Sequence, residues 1–453
     1  MAYRCTGFQF MGRISKKIVV ILPIFMVFLI LFFQNQIGIK YPTHVINSFI
    51  NQRSNILNTH NLLNNVYNNS SISILNKTAN QFVFKSYDLN KPPTFNLHDE
   101  ENVYFIHING GRTCFIQGTD LQNSHESCIC KAEYFGKDCG IPAAAWFAFF
   151  QDKGRNLNIS KRAYPRRVLH GMQVSYELDM FETRLHELYN TVDFFVIVEA
   201  NHTDYGDPKP LVFLERLKKG YLGEFQNKIV HVYVSSEPPN AKEPTWRAHD
   251  YMRSFLGPES LSRINGIRDD DLFIVSDADE IPSNEIITFL KLYDGYYEHV
   301  CFRYRWNIYG FFWKQEKGKM TQVCSVSSIK ILREKFSNNT WMIRPKRDSM
   351  AWWAGTVGHY AGWHCSWCFS PSGIVRKLDS AQAADRPRWG DYPEKKNLTY
   401  IQHLINEGRW FDDKGRFAEV KINEPMYAPK YLMENYAKYK TMLFHPKNIS
   451  KSL

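Results

Sequence analysis

The sequence has no charged residue between Lys17 and Lys40, and the stretch 18–33 within that interval is apolar without interruption. Its 16 residues would form about 24 Å of helix and the whole charge-free run about 33 Å, against a hydrocarbon core of about 30 Å. A chain with such a run is not wholly soluble. We therefore predict a transmembrane helix at residues 18–39.

Acidic residues are absent before this segment, whereas four basic residues precede it: Arg4, Arg13, Lys16 and Lys17. The positive-inside rule then leaves residues 1–17 in the cytosol and puts everything after Lys40 in the lumen. Residues 34–37 (QNQI) offer no small-x-small cleavage site, which argues against a cleaved signal peptide. The sequence predicts a single-pass type II membrane protein with a signal anchor.

No dense block of lysine or arginine occurs, although the formal net charge is +11. The positive excess is spread along a large luminal protein, in a compartment that contains no nucleic acid. These two features exclude nucleic acid as a partner. A mild attraction to an anionic nucleotide sugar is compatible with the charge.

The sequence has nine cysteines, of which Cys5 lies on the predicted cytosolic side and eight remain for the lumen. An even number in an oxidising compartment predicts disulfides and no free luminal thiol. Each group of four allows three connectivities. The two groups are Cys114, Cys128, Cys130 and Cys139, then Cys301, Cys324, Cys365 and Cys368.

The first cysteine group lies at residues 114–140, where eight residues separate Cys130 from Cys139. This spacing resembles the C-terminal half of an epidermal-growth-factor-like (EGF-like) module, and the resemblance implies a Cys130–Cys139 disulfide. So short a unit would depend on its disulfides for stability. We interpret it as a structural spacer rather than a receptor ligand.

Asparagine is abundant at residues 40–113, where hydrophobic periodicity is weak, so this part is predicted to be an extended stem. Eight asparagines along the chain begin N-x-S/T sequons, which agree with a luminal location. These candidate glycosylation sites are Asn68, Asn69, Asn76, Asn158, Asn201, Asn338, Asn397 and Asn448.

From residue 165 the chain alternates apolar β-type runs with helical patterns, which predicts an α/β domain at residues 165–440. The predicted elements are a helix at 176–190, a strand at 193–200, a helix at 211–219, a strand at 229–234, a helix at 245–256 and a strand at 271–276. Such uniformly apolar strands are typical of a mostly parallel, nucleotide-binding sheet with helices on both faces. Aromatic-rich strands after residue 295 predict an acceptor-binding C-terminal half.

Asp277 and Asp279 lie one residue apart, directly after the last of these strands. Ligands of open α/β sheets bind beyond the carboxyl ends of the strands, where a hard cation held by oxygen ligands can neutralise a diphosphate. The pattern favours a nucleotide-sugar transferase. Asp279 would bind the metal, and Asp277 would hold the ribose or bind the metal through water.

The aspartate pair has two other interpretations. The central Gly and the final Glu of an EF-hand are missing, which excludes a calcium loop of that kind. The remaining alternative is that the carboxylates only cap the helix that follows.

His364 lies in the segment WHCSWC at residues 363–368. It could complete the aspartate metal site, belong to a zinc site, or be a structural histidine beside a disulfide. A second pair of zinc ligands is not evident, and a thioredoxin-like setting for the CxxC motif is missing. The structural interpretation stays open beside that of His364 as a manganese ligand, for which His359 is the competitor.

Donor-binding candidates are Glu199 and Asn201, which close the strand predicted at 193–200, and Arg247, whose guanidinium could meet a diphosphate as a fork donor. A glycan on Asn201 would exclude that residue from a nucleotide pocket.

The base that removes the acceptor proton would be a carboxylate, and Asp385 is preferred over Asp391 and Asp348. Tryptophan rings can stack on sugar faces or be buried in the core. The candidates for an acceptor platform are Trp306, Trp313, Trp363, Trp367 and Trp389.

Seven motifs, in order between residues 165 and 435, resemble the glycosyltransferases of family 17. They are YELD to ELY (176–189), FVIVEAN (195–201), SDADEIP (276–282), YGFFWKQ (309–315), AGWHCSWCF (361–369), PRWGDY (387–392) and MYAPKY (426–431). The resemblance implies a GT-A-like Golgi enzyme of type II topology. It also implies inverting, manganese-dependent transfer of N-acetylglucosamine from its UDP conjugate (UDP-GlcNAc) to the core β-linked mannose of an N-glycan, as a bisecting β-1,4 residue.

Two alternative functions stay open. The luminal part could be a carbohydrate-binding or adhesion ectodomain without catalysis, which would need no nucleotide-binding half. It could also be a UDP-sugar transferase with a different donor or acceptor and the same metal chemistry.

Removal of residues 1–40 is expected to give a secreted, active protein, because the anchor contributes nothing to the predicted sheet. Transfer activity in the culture medium checks this expectation. A secreted and correctly folded form without activity would mean that the anchor matters to the chemistry.

Overall fold

The structure, a computed structural model, describes residues 84–151, 158–235, 247–345, 351–380 and 387–449. The predicted anchor and the predicted stem up to residue 83 lie outside these ranges. Within them, no helix is both long enough and apolar enough to cross a bilayer.

Strands and helices are numbered in chain order over the described residues. The strands are β1 (Phe95–Asn96), β2 (Phe105–His107), β3 (Thr113–Phe115), β4 (Tyr134–Phe135), β5 (Ile141–Pro142), β6 (Ser160–Lys161), β7 (Val168–Gln173), β8 (Phe194–Ala200), β9 (Ile229–Val234), β10 (Ile264–Asn265), β11 (Leu272–Ser276), β12 (Glu280–Pro282), β13 (Tyr293–Asp294), β14 (Val300–Ile308), β15 (Gly310–Gln315), β16 (Met320–Ser328), β17 (Trp352–Ala354), β18 (Gly362–Ser366) and β19 (Phe417–Glu419).

The α-helices are α1 (Ala143–Gln151), α2 (Leu178–Leu188), α3 (Val212–Lys218), α4 (Arg247–Leu261), α5 (Asn284–Leu292), α6 (Ile329–Phe336), α7 (Pro371–Ser380), α8 (Leu398–Glu407), α9 (Lys430–Glu434), α10 (Lys440–Leu443) and α11 (Pro446–Ile449). Short 3₁₀ helices lie at Gly223–Lys228, Glu316–Gly318, Thr340–Ile343, Trp389–Asp391 and Pro393–Lys396. All six elements predicted between residues 176 and 276 are confirmed, and the helix predicted at 245–256 continues to Leu261.

Four strands form the parallel half of an 11-stranded sheet, in the spatial order β11, β7, β8, β9. Every residue of β8 is buried, because helices cover both faces of this half. Phe181 of α2 and Phe213 of α3 pack on one face, and Met252 and Leu256 of α4 pack on the other. The alternation of strands and helices along the sequence therefore gives the predicted two-sided arrangement.

The other half of the sheet is mixed. Strand β14 runs antiparallel to β15 and β16 but parallel to β17 and β18. The prediction of a mostly parallel sheet is thus right for the first half and wrong for the second. The single residue Tyr309 joins β14 to β15, and so short a connection makes antiparallel neighbours, whereas parallel neighbours need a long crossover.

Strand β7 is missing from the sequence prediction, because His170 and Gly171 interrupt its apolar run. The ring nitrogen Nε2 of His170 lies 2.7 Å from the hydroxyl oxygen of Ser276 on β11. A Cβ at Gly171 would lie 2.8 Å from the ring of Phe273. His170 therefore links β7 to β11 through a hydrogen bond, and Gly171 leaves the space that Phe273 of β11 occupies.

All eight cysteines of the described chain form disulfides, as predicted. The pairs are Cys114–Cys128, Cys130–Cys139, Cys301–Cys324 and Cys365–Cys368. The implied Cys130–Cys139 bridge is confirmed, and each pair stays within its predicted group of four.

Residues 84–113, which the sequence assigns to the stem, pack against the α/β domain. Phe84 and Phe95 are buried in its two largest apolar clusters. The hydroxyl of Tyr87 donates a hydrogen bond to the carbonyl of His231 at 3.0 Å. This part of the predicted stem is therefore integral to the domain.

The cysteine unit at 114–140 also packs on the domain. Phe115 is buried in the main cluster, and the hydroxyl of Tyr293 donates to a carboxylate oxygen of Asp138 at 2.7 Å. Gly140 leaves the space for this tyrosine, since a Cβ there would overlap its hydroxyl oxygen. Side chains of the cysteine unit and of the sheet domain thus hold the two together.

Glu187 of α2 connects the parallel half to the C-terminal region. Its carboxylate accepts a hydrogen bond from the backbone N–H of Tyr431 on α9 at 2.5 Å. Burial raises the pKa of Glu187 to about 7, and the Tyr431 N–H opposes this shift only in part.

We expect the variant Glu187→Gln to gain stability relative to the wild type as the pH rises from 5 to 8. A carboxyl whose pKa is raised on folding contributes stability below its unfolded pKa, and that contribution is lost as the pH passes through the folded pKa of about 7. Glutamine keeps an acceptor for Tyr431 but does not titrate. Thermal unfolding of both proteins at each pH measures the difference, and a pH-independent difference would contradict the assignment.

Candidate active site

A cleft of about 1080 Å³ opens at the carboxyl ends of the parallel strands. The chain order of these strands runs outward from β7 to β8 and β9, and then returns to β11 on the other side of β7. The direction of winding therefore reverses between β7 and β11. Ligands of open α/β sheets bind at this switch point, and Gln173 and Asp277, at the ends of the two strands, both line the cleft.

The turn that carries the two aspartates rests on Arg184 of α2. This side chain is fully buried, and its guanidinium donates to the carbonyls of Asp277 at 2.6 Å, Ala278 at 3.1 Å and Glu280. Burial lowers the pKa of Arg184 to about 10, so the group stays charged at neutral pH. These three hydrogen bonds hold the backbone of the turn in place.

Asp277 is held by two arginines. Arg253 of α4 donates to both its carboxylate oxygens at 2.8 Å, and Arg344 approaches one of them at 3.5 Å while forming a bidentate pair with Glu280 at 2.9 Å. Burial would raise the pKa of Asp277, but the two guanidinium charges outweigh it and hold the pKa well below its usual range. Asp277 is therefore an anion whose charge is balanced by two arginines of the protein.

Asp279 faces two different cations. The Nε2 atom of His364 lies 3.5 Å from one carboxylate oxygen, and the ammonium of Lys377 lies 3.4 Å from the other. Burial would raise the pKa of Asp279, but the charges of Lys377 and His364 together hold it well below its usual range. The fold therefore places His364, the predicted metal ligand, beside Asp279.

His364 is brought to Asp279 by strand pairing. Strand β18 runs antiparallel to β12, the strand that follows the aspartates, and the N–H of Cys365 donates to the carbonyl of Asp279 at 2.9 Å. Ring atom Nδ1 lies 2.6 Å from the hydroxyl of Thr321 and Nε2 lies 3.1 Å from that of Ser366. These contacts fix the ring with Nε2 towards the carboxylate.

The helix-cap alternative for the aspartate pair is wrong. Helix α5, the next helix, begins after Ser283, whose hydroxyl accepts the N–H of Ile286 at 3.4 Å. Ser283 is therefore the N-cap, and both aspartates turn to the cleft instead.

A second charged pair lies on the β8 side of the cleft. The Nε2 atom of His249 is 3.0 Å from a carboxylate oxygen of Asp204, in the loop after β8. Burial would lower the pKa of His249, but the neighbouring carboxylate raises it overall. The sequence gives no signal for this pair, since the two residues lie on separate elements.

Four tryptophans are among the residues that line the cleft: Trp306, Trp341, Trp367 and Trp410. Trp306 and Trp367 are predicted acceptor candidates, whereas Trp341 and Trp410 are not among the predicted residues. Trp367 adopts a left-handed backbone conformation with φ of 57°, which costs about 1–3 kcal/mol in a non-glycine residue. Strain of this kind is concentrated at functional sites.

Trp313, Trp363 and Trp389 do not line the described cleft, which corrects their assignment as acceptor residues. The indole N–H of Trp313 donates to the carbonyl of Ile405 at 2.7 Å, and that of Trp363 to the carbonyl of Met426 at 2.8 Å. Both rings are buried core. Trp389 is half-buried and stacks on Phe411 with the two ring centroids 6.1 Å apart.

The three predicted donor-binding residues other than Asp277 are also outside the described lining. The carboxylate of Glu199 is fully buried and accepts the N–H groups of Phe213 and Leu214 at the start of α3. It therefore caps a helix. Asn201 and Arg247 are exposed, and their chain neighbours, such as His202 and His249, line the cleft instead.

Among the predicted bases, only Asp391 lies in the described chain. It is exposed, pairs with Arg388 at 3.2 Å, and is not among the described cleft residues, so its assignment is corrected. Asp385 and Asp348 lie outside the described residues and stay predictions. Ser380 and Pro345, the last described residues before those two stretches, both line the cleft.

His359, the competing metal ligand, is not in the described lining either. Its ring stacks on Phe147 with centroids 4.1 Å apart, and Nδ1 lies 3.1 Å from the carboxylate of Glu133. His364 is therefore the histidine that the fold brings to Asp279.

The sequons in the described chain are compatible with glycosylation. Asn158, Asn201, Asn397 and Asn448 are exposed, and Asn338 is half-buried. Asn68, Asn69 and Asn76 lie outside the described residues.

A deep, charged cleft at the switch point of an α/β sheet is typical of proteins that bind nucleotides. Comparison with known families agrees with this class. The model of glycosyltransferase family 17 matches residues 155–448, and the chain belongs to this family.

Three similar curated proteins are each named beta-1,4-mannosyl-glycoprotein 4-beta-N-acetylglucosaminyltransferase. The rat protein (Rattus norvegicus) is 38% identical over 350 residues, which covers 74% of this chain and 64% of the rat protein. The mouse protein (Mus musculus) is 38% identical over 340 residues, 72% of this chain and 63% of its own length. The human protein (Homo sapiens) is 39% identical over 344 residues, with shares of 73% and 64%. The match thus spans somewhat less than two thirds of each relative.

We expect Asp277→Ala to destabilise the fold by about 1–3 kcal/mol, the usual cost of leaving buried charged groups without a partner. Asp279→Ala should cost less, because Lys377 keeps Glu177 nearby and His364 keeps its two hydroxyl contacts. Urea unfolding of the form lacking residues 1–40 measures both values. Equal losses, or a larger loss for Asp279→Ala, would contradict the different roles of the two carboxylates.

Proposed function

We propose that the protein is a metal-dependent, inverting glycosyltransferase that moves N-acetylglucosamine from UDP-GlcNAc to the core β-linked mannose of N-glycans, in a bisecting β-1,4 linkage. The observation that carries the proposal is Asp279 beside His364 at the switch point of the sheet. Family membership supports the class of reaction. The names of the three relatives support the sugar and the acceptor.

We further infer that the parallel half is a GT-A-like nucleotide-binding sheet. The strand order β9, β8, β7, β11 and the aspartate pair after β11 support this inference. The uridine would then lie over the ends of β7 and β8, where the pair of Asp204 and His249 offers polar contacts.

The residues beside Asp279 fit a divalent cation such as Mn²⁺. Imidazole and carboxylate both bind transition metals, and ions of this size are often held by one or two protein ligands, with substrate phosphates and water completing the shell. Asp279 and His364 would supply such a pair, whereas Asp277 is occupied by Arg253. In the described chain, no group of three or more His, Cys, Asp or Glu side chains could hold a metal ion by itself.

When bound, the cation would act as a Lewis acid on the diphosphate leaving group. In the transfer step a bond forms between the acceptor hydroxyl oxygen and the anomeric carbon, and the bond from that carbon to the diphosphate oxygen breaks. The electron pair leaves with UDP, and the acceptor proton passes to a carboxylate base. Asp385 remains the preferred base, with Asp348 as the alternative.

Tryptophans that line the cleft would receive the acceptor glycan. Trp306 is half-buried and its indole N–H donates to the hydroxyl of Ser366 at 3.1 Å, so the ring is held beside His364. Aromatic rings in such positions offer apolar faces to sugar rings. The acceptor would thus lie beside His364.

The proposed setting is the Golgi membrane, with a single-pass type II anchor and a luminal catalytic domain. The predicted anchor at 18–39 and the four disulfides support a luminal location, because disulfides persist in oxidising compartments.

A panel of UDP-sugars tested with a defined N-glycan acceptor examines the function directly. We expect transfer from UDP-GlcNAc alone and a new β-1,4 linkage on the core mannose, identified by mass spectrometry and NMR. Transfer from another donor or to another position would favour the alternative transferase. An absence of UDP binding by calorimetry, with Mn²⁺ present, would favour the carbohydrate-binding ectodomain.

Asp279→Ala and Asp279→Asn are each expected to reduce kcat by roughly a thousandfold or more, because several kcal/mol of transition-state stabilisation are lost at about 1.4 kcal/mol per tenfold in rate. EDTA should reduce the activity of the wild type similarly, and Mn²⁺ should restore the wild type but not the variants. Activity of Asp279→Ala within about tenfold of the wild type, or insensitivity to EDTA, would refute the metal mechanism.

A further inference from the structure

Lys377 contacts the carboxylate oxygen of Asp279 that does not face His364. It lies in the last part of α7, its side chain is 17% exposed, and its ammonium is 3.4 Å from Asp279 and 3.9 Å from Glu177. Both contacts are longer than the 2.8 Å pair between Arg253 and Asp277. The ammonium is thus shared loosely between two carboxylates at the edge of the cleft.

Other charged groups around the aspartates are more firmly engaged. Arg253 and Arg344 donate to Asp277 and Glu280 at hydrogen-bonding distance. His364 is fixed by two hydroxyl groups. A lysine ammonium has three donors and a flexible stem, so Lys377 can keep one carboxylate contact and still donate to a ligand.

Glu177 is positioned to retain Lys377. One of its carboxylate oxygens accepts the backbone N–H groups of Ser175 at 3.1 Å and Tyr176 at 3.0 Å, which fixes the side chain beyond the end of β7. The other oxygen faces Lys377. If Lys377 leaves Asp279, Glu177 can hold it within the cleft.

Two aromatic rings lie beside the ammonium group of Lys377. The Nζ atom lies 5.5 Å from the centroid of Trp367 and 5.5 Å from that of Phe369. Cation–π contacts of this kind attract a cation, and rings that exclude water make its charge more effective on a nearby anion. The setting therefore suits a lysine that acts on a ligand charge.

We propose that Lys377 is a further catalytic residue, which contacts the diphosphate of the donor and stabilises its developing negative charge as the sugar bond breaks. Without ligand, Lys377 occupies one side of Asp279. On donor and cation binding, Lys377 gives up that contact, stays near Glu177 and donates to a phosphate oxygen. This proposal rests on the function proposed above.

The test is the variant Lys377→Met of the full-length protein in detergent, with Mn²⁺ alone and UDP as the probes. UDP binding at saturating Mn²⁺, measured by calorimetry, should weaken by roughly tenfold to a hundredfold, as expected for a lost charge-assisted hydrogen bond. Binding of Mn²⁺ alone, measured by electron paramagnetic resonance, should be unchanged or tighter, because the competing ammonium is gone. Lys377→Arg keeps the charge and should recover most of the UDP affinity.

The matched control is Lys396→Met. Lys396 pairs at 3.0 Å with Asp379 of α7, the helix that carries Lys377. Both side chains lie at the surface, 33% and 52% exposed, so UDP and Mn²⁺ binding should not change. Thermal unfolding confirms that each variant is folded. If Lys377→Met does not fold, Lys377→Arg still decides. The arginine variant keeps the positive charge, so a loss of UDP affinity of roughly tenfold or more in that variant would contradict a role for the charge.

Three results would overturn the proposal. UDP affinity of Lys377→Met equal to the wild type would exclude contact with the diphosphate. Weaker binding of Mn²⁺ alone would mean that Lys377 only supports Asp279. A wild type that binds no UDP at all would refute the proposed function itself, and the inference with it.

Discussion

The buried guanidinium of Arg184 is the interaction on which the site depends. It comes from α2, lies beneath the turn after β11, and donates to three carbonyls within residues 277–280. A buried charge is costly unless it is hydrogen-bonded, so this arrangement ties the conformation of the turn to the packing of the helix. The direction of the two aspartate side chains is thereby set by the core rather than by the surface of the cleft.

Once the turn is fixed, two carboxylates one residue apart have different surroundings. Asp277 points to α4 and meets Arg253, which makes it part of a buried ion network. Asp279 points to β18 and α7, where His364 and Lys377 stand at longer distances. The first carboxylate therefore holds the cleft together, and the second is the one that can exchange a protein cation for a ligand.

The sequence predicts well what depends on neighbouring residues. The apolar runs identify β8, β9 and β11, because a strand buried on both faces must be apolar throughout, and the position of Asp279 after β11 follows from the run before it. The sequence predicts poorly the contacts that form when strands from distant parts of the chain pair. The sequence does not distinguish Trp313 and Trp363 from Trp367, because only the pairing of β14 with β15 and β18 determines which ring lines the cleft. Glu199 likewise looks like a strand-end ligand, but α3 folds back to take its carboxylate.

The central claim is that a divalent cation binds Asp279 and His364 while Asp277 remains with the arginines. A crystal structure of the protein with UDP and Mn²⁺, with anomalous diffraction data collected at the manganese edge, tests it most directly. The predicted result is one anomalous peak at coordination distance from Asp279 and His364, in contact with the diphosphate, with Arg253 still paired to Asp277. A peak coordinated by both aspartates with Arg253 displaced, or no peak in this cleft, would contradict it.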